Sequence, residues 1–155
     1  MSLFARLFGT RPPQDIEARL LPILKMMTLD GRVDPREEVA LMGHMQQMGI
    51  TREQASSMLE RVKSRGGEIP LPTEPRHRIE VMLGACAMMV IDGDIAVSEL
   101  GYLHYLAGRM EIPPFVLKDM IERAIRLGQQ VNPGIDLQSD FEAATVALAV
   151  ALRSR

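Results

Sequence analysis

The stretch Met26-Met-Thr-Leu-Asp-Gly-Arg-Val-Asp-Pro-Arg-Glu37 returns 62 residues later as Met88-Met-Val-Ile-Asp-Gly-Asp-Ile-Ala-Val-Ser-Glu99. The same offset holds without a gap as far as Arg61 and Arg123, and 11 of the first 36 aligned positions are identical. A repeat of this length is one supersecondary unit. The sequence therefore predicts a tandem duplication whose copies share an Asp-Gly-x-[Val/Ile]-x-x-x-Glu turn.

Helical patterns surround both turns. Apolar residues between 16 and 27, and again between 79 and 90, recur at the spacing of one helix face. No segment alternates with the two-residue period of a strand. We predict an all-α fold, a helical bundle of about seven helices from two tandem three-helix repeats. The predicted boundaries are an N-terminal tail at 1–12 and a single domain at 13–155, comprising repeats at about 15–66 and 74–128 and a C-terminal helix at about 139–153.

Capping motifs and prolines predict where several helices begin. Asp34-Pro-Arg-Glu37, Thr51-Arg-Glu-Gln54 and Ser139-Asp-Phe-Glu142 each place Glu or Gln three residues after a capping residue. Pro113-Pro114 is typical of the first turn of another helix. Pro22 must either kink the first helix or lie in its first turn.

Composition limits the classes of function. The formal net charge is −2, whereas a nucleic-acid-binding domain normally carries a basic excess. No apolar run approaches the length of a membrane span, and no signal peptide is visible, so we predict a cytoplasmic protein. A single cysteine, Cys86, allows no internal disulfide. The apolar residues of Met1–Gly9 form only a brief amphipathic segment, which predicts a tail.

The duplicated turn matches the second half of a calcium-binding EF-hand loop, in which glycine makes the sharp turn and the last Glu binds Ca²⁺. The first half of such a loop needs oxygen donors at its first and third places. Here those places hold Met26 and Thr28 in one copy and Met88 and Val90 in the other. A strong calcium site is therefore excluded, and a weak, water-rich site for a divalent cation remains.

A structural interpretation of the turn also remains open. Gly31 and Gly93 supply a positive φ, while Val33 and Ile95 fill the core. In the first copy, the capping box that Asp34 begins accounts for Glu37. In the second copy Ala96 replaces the capping residue, so we expect capping to leave Glu99 unexplained.

These doubled motifs, each preceded by an apolar helix, resemble the TerB family associated with tellurite resistance and its TerB-like relatives. The resemblance covers about residues 15–127. It implies an all-α fold of two similar halves, an acidic cleft that binds metal ions, and a stress-response role with partner proteins at the inner face of the membrane. Relatives that act as co-chaperones carry a J-domain or a membrane anchor; neither is recognisable in this sequence, so we do not expect that role.

The resemblance and the motif spacing nominate six carboxylates as ligands of a divalent cation, Ca²⁺ or Mg²⁺, bound weakly. They are Asp30, Asp34, Glu37, Asp92, Asp94 and Glu99. Asp34 and Asp94 occupy unmatched places in the two copies, whereas the other four match. No other cofactor is predicted.

The sequence contains no recognisable catalytic motif. The three histidines are scattered, and we predict a protein that is not an enzyme unless a pocket joins His104 to the carboxylates. The alternative function is a pure protein-interaction scaffold with no metal site. In that interpretation the 12 methionines contribute to an adaptable apolar groove. Met42, Met45 and Met48 also have the spacing of an ordinary core stripe.

Overall fold

A computed structural model of the protein describes residues 16–29, 35–47, 49–63, 69–91, 93 and 95–153. Within these ranges the chain forms seven α-helices and no β-strand, which confirms the predicted all-α fold of about seven helices. The helices are α1 (Ile16–Met27), α2 (Pro35–Gln47), α3 (Arg52–Lys63), α4 (Pro75–Ile91), α5 (Val97–Arg109), α6 (Pro114–Val131) and α7 (Leu137–Arg153). The predicted tail at 1–12 lies outside the described residues.

Local sequence signals set several helix starts. Pro35 and Pro114 are the first residues of α2 and α6, where the missing amide donor of proline costs nothing. Thr51 Oγ1 accepts a hydrogen bond from the amide of Gln54 at 3.1 Å, and Gln54 Oε1 accepts one from the amide of Thr51 at 3.0 Å. The capping box predicted for α3 is therefore confirmed.

Pro22 lies in the interior of α1 and not in its first turn, which leaves the other predicted alternative, a kink in that helix. The predicted start of the last helix is wrong. The last helix begins at Leu137, because Asp136 caps it: the carboxylate accepts the Ser139 amide at 3.1 Å and the Ser139 hydroxyl at 2.7 Å. These two hydrogen bonds, the one from the hydroxyl first, lower the pKa of Asp136. Ser139 is thus the third residue of α7 and not its cap.

The helix bounds recur at the offset seen in the sequence. Adding 62 to the ends of α2 gives the ends of α5, and adding it to the start of α3 gives the start of α6. The turn after each pair also recurs, because Gly49 and Glu111 both have positive φ values, 86° and 59°. This agreement supports the duplication, which remains a prediction.

The chain divides into two compact units, residues 1–81 and 82–155. In the first unit α3 packs against α1 and α2. Lys25 Nζ donates a hydrogen bond to the carbonyl of Val62 at 3.4 Å, which ties α1 to α3. The core of this unit contains Leu20, Leu24, Met45 and Leu59. The single domain predicted at 13–155 stays a prediction.

In the second unit α5, α6 and α7 pack against one another. Gly128 of α6 permits a close approach of neighbouring side chains. A Cβ added there would lie 2.8 Å from Leu137 Cδ1 and 3.3 Å from Val90 Cγ2. Cys86 is completely buried in α4, as its apolar sequence neighbourhood predicts. No helix in the described ranges is long and apolar enough to cross a membrane.

Candidate functional site

Most of the predicted metal ligands have side chains outside the described part of the structure. Asp30, Asp34, Asp92 and Asp94 lie outside the described residues. The backbone of Glu37 lies in α2, but its side chain is likewise outside what the structure describes. Of the six, only Glu99 has a described side chain, so the predicted set of ligands remains a prediction.

Glu99 lies in the first turn of α5 and is buried, with 8% of its surface exposed. Its Oε1 accepts a hydrogen bond from the backbone amide of Ala96, the N-cap residue, at 3.2 Å. This is the reciprocal half of a capping box, and it needs only a backbone amide at the cap position. The expectation that capping leaves Glu99 unexplained is therefore wrong, because an alanine cap supplies that amide.

The turn before α5 has the architecture that the structural interpretation requires. Gly93 has a φ of 88°, which favours glycine, and its amide donates to the carbonyl of Val90 at 3.3 Å. Ile95 is buried, with 7% of its surface exposed. The predictions for Gly93 and Ile95 are confirmed, whereas Gly31 and Val33 lie outside the described residues. Among the residues that the structure describes, no group of three or more His, Cys, Asp or Glu side chains is arranged to hold a metal ion.

Methionine side chains in the described ranges belong mainly to the core. Eight of them are buried: Met26, Met45, Met58, Met82, Met88, Met89, Met110 and Met120. Met42 is half-buried, and the side chains of Met27 and Met48 are not among those described. Buried thioethers fill gaps between helices and offer no surface to a partner. The core-stripe interpretation therefore accounts for Met45.

A groove of about 540 Å³ opens in the second unit between α5, α6 and α7. Its floor is apolar and well packed, since Leu117, Ile121 and Phe141 have exposures of 1%, 1% and 9%. Val146 lines the same groove and is 64% exposed. The volume falls in the range of natural ligand and peptide sites. No methionine lines this groove, so a Met-lined surface does not describe it.

Polar side chains form the rim of the groove. They are His104 of α5, Lys118 and Glu122 of α6, and Gln138, Glu142 and Thr145 of α7. Gln138 Nε2 donates to Glu142 Oε1 at 3.3 Å, which holds one carboxylate at the edge. The rim carries two carboxylates against one permanent cation, Lys118. Its formal charge is therefore negative when His104 is neutral.

His104 lines the groove together with Glu122 and Glu142. The expectation that the protein is not an enzyme stays a prediction. Apart from His104, none of the residues that line the groove was singled out from the sequence as a candidate functional residue. One feature of the sequence indicates an exposed apolar surface on the final helix. Residues 145–152 are all uncharged, although a helix packed on one side needs only one apolar face.

A second surface feature lies on α5. The rings of Tyr102 and Tyr105 stack with centroids 6.1 Å apart, and the guanidinium of Arg109 lies 5.8 Å from the Tyr105 centroid. Arg109 Nη1 also donates to the Tyr105 hydroxyl at 2.8 Å. Burial, and then the neighbouring Tyr105, raise the pKa of Tyr102. These contacts stabilise the helix surface locally and do not join the groove.

Comparison with protein-family models, with curated proteins and with solved structures found no match for the chain. The resemblance to TerB proteins therefore rests on the two turn motifs alone.

Proposed function

We propose that this chain is a non-enzymatic helical module that binds a helix of a partner protein in the groove between α5, α6 and α7. One observation carries the proposal: an apolar floor of Leu117, Ile121 and Phe141 lies open beneath a polar rim. Amphipathic helices bind such grooves through apolar residues at the first, fourth or fifth, and eighth positions. The floor would bury that stripe, and the rim would contact the flanks of the helix.

Charge narrows the kind of helix that fits. Glu122 and Glu142 lie on different helices of the groove, α6 and α7, with Lys118 as the one permanent cation among the lining side chains. A helix with lysine or arginine beside its apolar stripe would place those cations against the carboxylates. Such contacts favour selection of one partner over another more than they raise affinity. The proposed partner is therefore a basic amphipathic helix.

Peptide binding tests this proposal. A fluorescent helical peptide with a leucine stripe and flanking lysines should bind with a dissociation constant of roughly 1–100 μM, the range of modest helix-in-groove contacts. Thr145→Arg inserts a long cation into the groove and should weaken binding at least about tenfold. Thr73→Arg is the matched control, because Thr73 is exposed between α3 and α4 and does not line the groove.

The same assay decides whether the rim charge matters. Glu122→Gln should weaken binding of the lysine-flanked peptide and leave a glutamine-flanked peptide unaffected. A scrambled peptide of equal composition, lacking the stripe, should not bind. Equal binding of the striped and scrambled peptides would refute the groove as a helix site.

A second candidate function is weak binding of Ca²⁺ or Mg²⁺ by the acidic turns. It is supported by the equal Asp-to-Glu spacing in both copies, Asp30 to Glu37 and Asp92 to Glu99. The capping role of Glu99 weakens this support, because that carboxylate already has a structural task. Saturable shifts of the Gly93 amide with Ca²⁺, Mg²⁺ or Zn²⁺, lost in the double variant Glu37→Gln/Glu99→Gln, would support it. No saturable change at about millimolar ion would exclude a site of the affinity known for weak calcium modules.

The biological setting is part of the same proposal. The resemblance to TerB proteins supports a stress-response role in the cytoplasm, with protein partners at the inner face of the membrane. The alternative is a protein-interaction scaffold without any metal site. A metal titration with no response, together with intact peptide binding, would favour that scaffold.

A further inference from the structure

The outer face of α7 carries exposed apolar side chains. Val146 is 64% exposed and Val150 is 57% exposed, and Ala143 and Ala147 beside them are also exposed. At about 100° per residue these valines lie roughly opposite Leu137, a buried residue that faces the core of the second unit. The core packing of α7 therefore does not explain them.

The spacing on this face is that of a helix pair. Ala143, Val146, Val150 and Arg153 follow one another at intervals of three, four and three residues, and we name these four residues the outer stripe. A stripe with this repeat is the seam along which two helices pack side by side. The outer stripe extends over two turns or more of α7. Another helix of similar length would therefore pack along it.

The charged residues at the two ends of the outer stripe indicate which helix pairs with it and in which orientation. Glu142 lies beside the start of the outer stripe, and Arg153 ends it. In an antiparallel pair of two α7 helices, Val146 meets Val150 of the second copy. Arg153 then reaches Glu142 of that copy, with its long stem over the small Ala143. A parallel pair would instead bring like charges together.

We propose that two copies of this chain pair through the outer stripes of their α7 helices, antiparallel and about a two-fold axis. Such an interface is self-complementary, because each contact occurs twice. Val150 and Arg153 do not line the groove, whereas Val146 and Glu142 do. The self-association surface therefore borders the proposed partner site and shares these two residues with it, and Val150→Glu tests self-association without changing the groove lining.

Sedimentation velocity of the full chain from about 10 μM to about 1 mM, a range that brackets a weak dissociation constant, tests the proposal. A concentration-dependent dimer is expected. Val150→Glu should raise its dissociation constant at least about tenfold, since a carboxylate would be buried in an apolar seam. Val131→Glu is the matched control. Val131 is 60% exposed at the end of α6 and does not belong to the outer stripe, so its substitution should leave the dimer unchanged.

Charge reversal tests the antiparallel register. Glu142→Arg alone and Arg153→Glu alone should each weaken the dimer. The double variant, and an equimolar mixture of the two single variants, should restore it. A monomer at every concentration would overturn the proposal, as would a dimer that tolerates Val150→Glu. Single reversals without effect would overturn the antiparallel register.

Discussion

The backbone amide of Ala96 donates a hydrogen bond to Oε1 of Glu99 across 3.2 Å, at the first turn of α5. Through this contact a carboxylate of the acidic turn caps a helix, and its effect on the free energy of unfolding can be measured without any ligand. A residue kept for metal binding alone would tend to destabilise the protein without its ion, because buried carboxylates are costly. A residue that caps a helix should stabilise it.

Glu99→Ala should lower the free energy of unfolding by about 1–3 kcal/mol, because the Ala96 amide loses a charged acceptor in a buried position. Glu99→Gln keeps an oxygen at the same place and should cost less. Urea unfolding in metal-free buffer gives both values. If the two variants were as stable as the parent, the capping role would be refuted.

Ala96 has no side-chain acceptor, so the capping box is half complete. Ala96→Ser should add the missing acceptor for the amide of residue 99. The expected gain in the free energy of unfolding is roughly 0.5–2 kcal/mol, seen as a higher urea midpoint. Ala149→Ser, at an exposed position inside α7 that belongs neither to the groove nor to the outer stripe, is the matched control and should not stabilise the protein. Equal effects of the two substitutions would contradict the account of this cap.

Glu111 occupies a left-handed backbone conformation with φ of 59°, at the place where the first unit has Gly49. A residue with a side chain makes that conformation unfavourable by about 1–2 kcal/mol. Replacing Glu111 by glycine removes this penalty, but part of the gain is offset by the greater flexibility of glycine in the unfolded chain. Glu111→Gly should therefore raise the free energy of unfolding by roughly 0.5–1 kcal/mol, and Gly49→Ala should lower it by a similar amount. Thermal unfolding of both variants measures this. A destabilising Glu111→Gly would show that contacts of the glutamate outweigh its backbone strain.

Gly93→Ala should destabilise the second unit by about 1–2 kcal/mol, the typical penalty for a side chain at positive φ. The added Cβ would also lie 2.7 Å from Ile135 Cδ1, so that side chain must move. Gly108→Ala is the control, since a Cβ there meets nothing within 4 Å and lies inside α5. It should stabilise the helix by up to about 1 kcal/mol. Chemical denaturation that ranked the two variants in the opposite order would contradict the turn geometry.

Burial raises the pKa of the Cys86 thiol from 9.0 to about 12. The pKa of the Cys86 thiol is therefore higher in the folded protein than in the unfolded protein. The stability that the buried, protonated thiol contributes is fully present at pH values below the unfolded pKa. It is lost as the pH rises toward the folded pKa, at up to about 1.4 kcal/mol per pH unit. Urea unfolding at several alkaline pH values should show a steeper decline for the parent than for Cys86→Ala. Parallel curves would mean that the thiol is accessible in the folded protein.

Local signals in the sequence predicted a large part of the fold. Prolines at 35 and 114 start helices because their ring fixes φ and their missing amide falls where no acceptor is needed. The predicted start of α7 was wrong because Ser139 has the sequence pattern of a cap, while Asp136, three residues before it, makes the capping hydrogen bonds. A motif alone does not say which of two capable residues will be at the cap.

The functional site was less predictable for a physical reason. The role of Glu99 depends on a backbone amide, which every residue except proline supplies, so the identity of Ala96 did not reveal it. The groove depends on how α5, α6 and α7 pack against one another, which the residue pattern of a single helix does not specify. Its lining residues, such as Leu117 and Phe141, look like ordinary core positions in the sequence.

An NMR titration of the full chain with the lysine-flanked leucine-stripe peptide tests the central claim most directly. Binding in the groove predicts saturable amide shifts at Leu117, Gln138 and Thr145, with the amides of the first unit unchanged. Thr145→Arg should abolish these shifts. Shifts concentrated elsewhere, or none at about millimolar peptide, the weakest affinity of interest, would contradict a helix-binding groove.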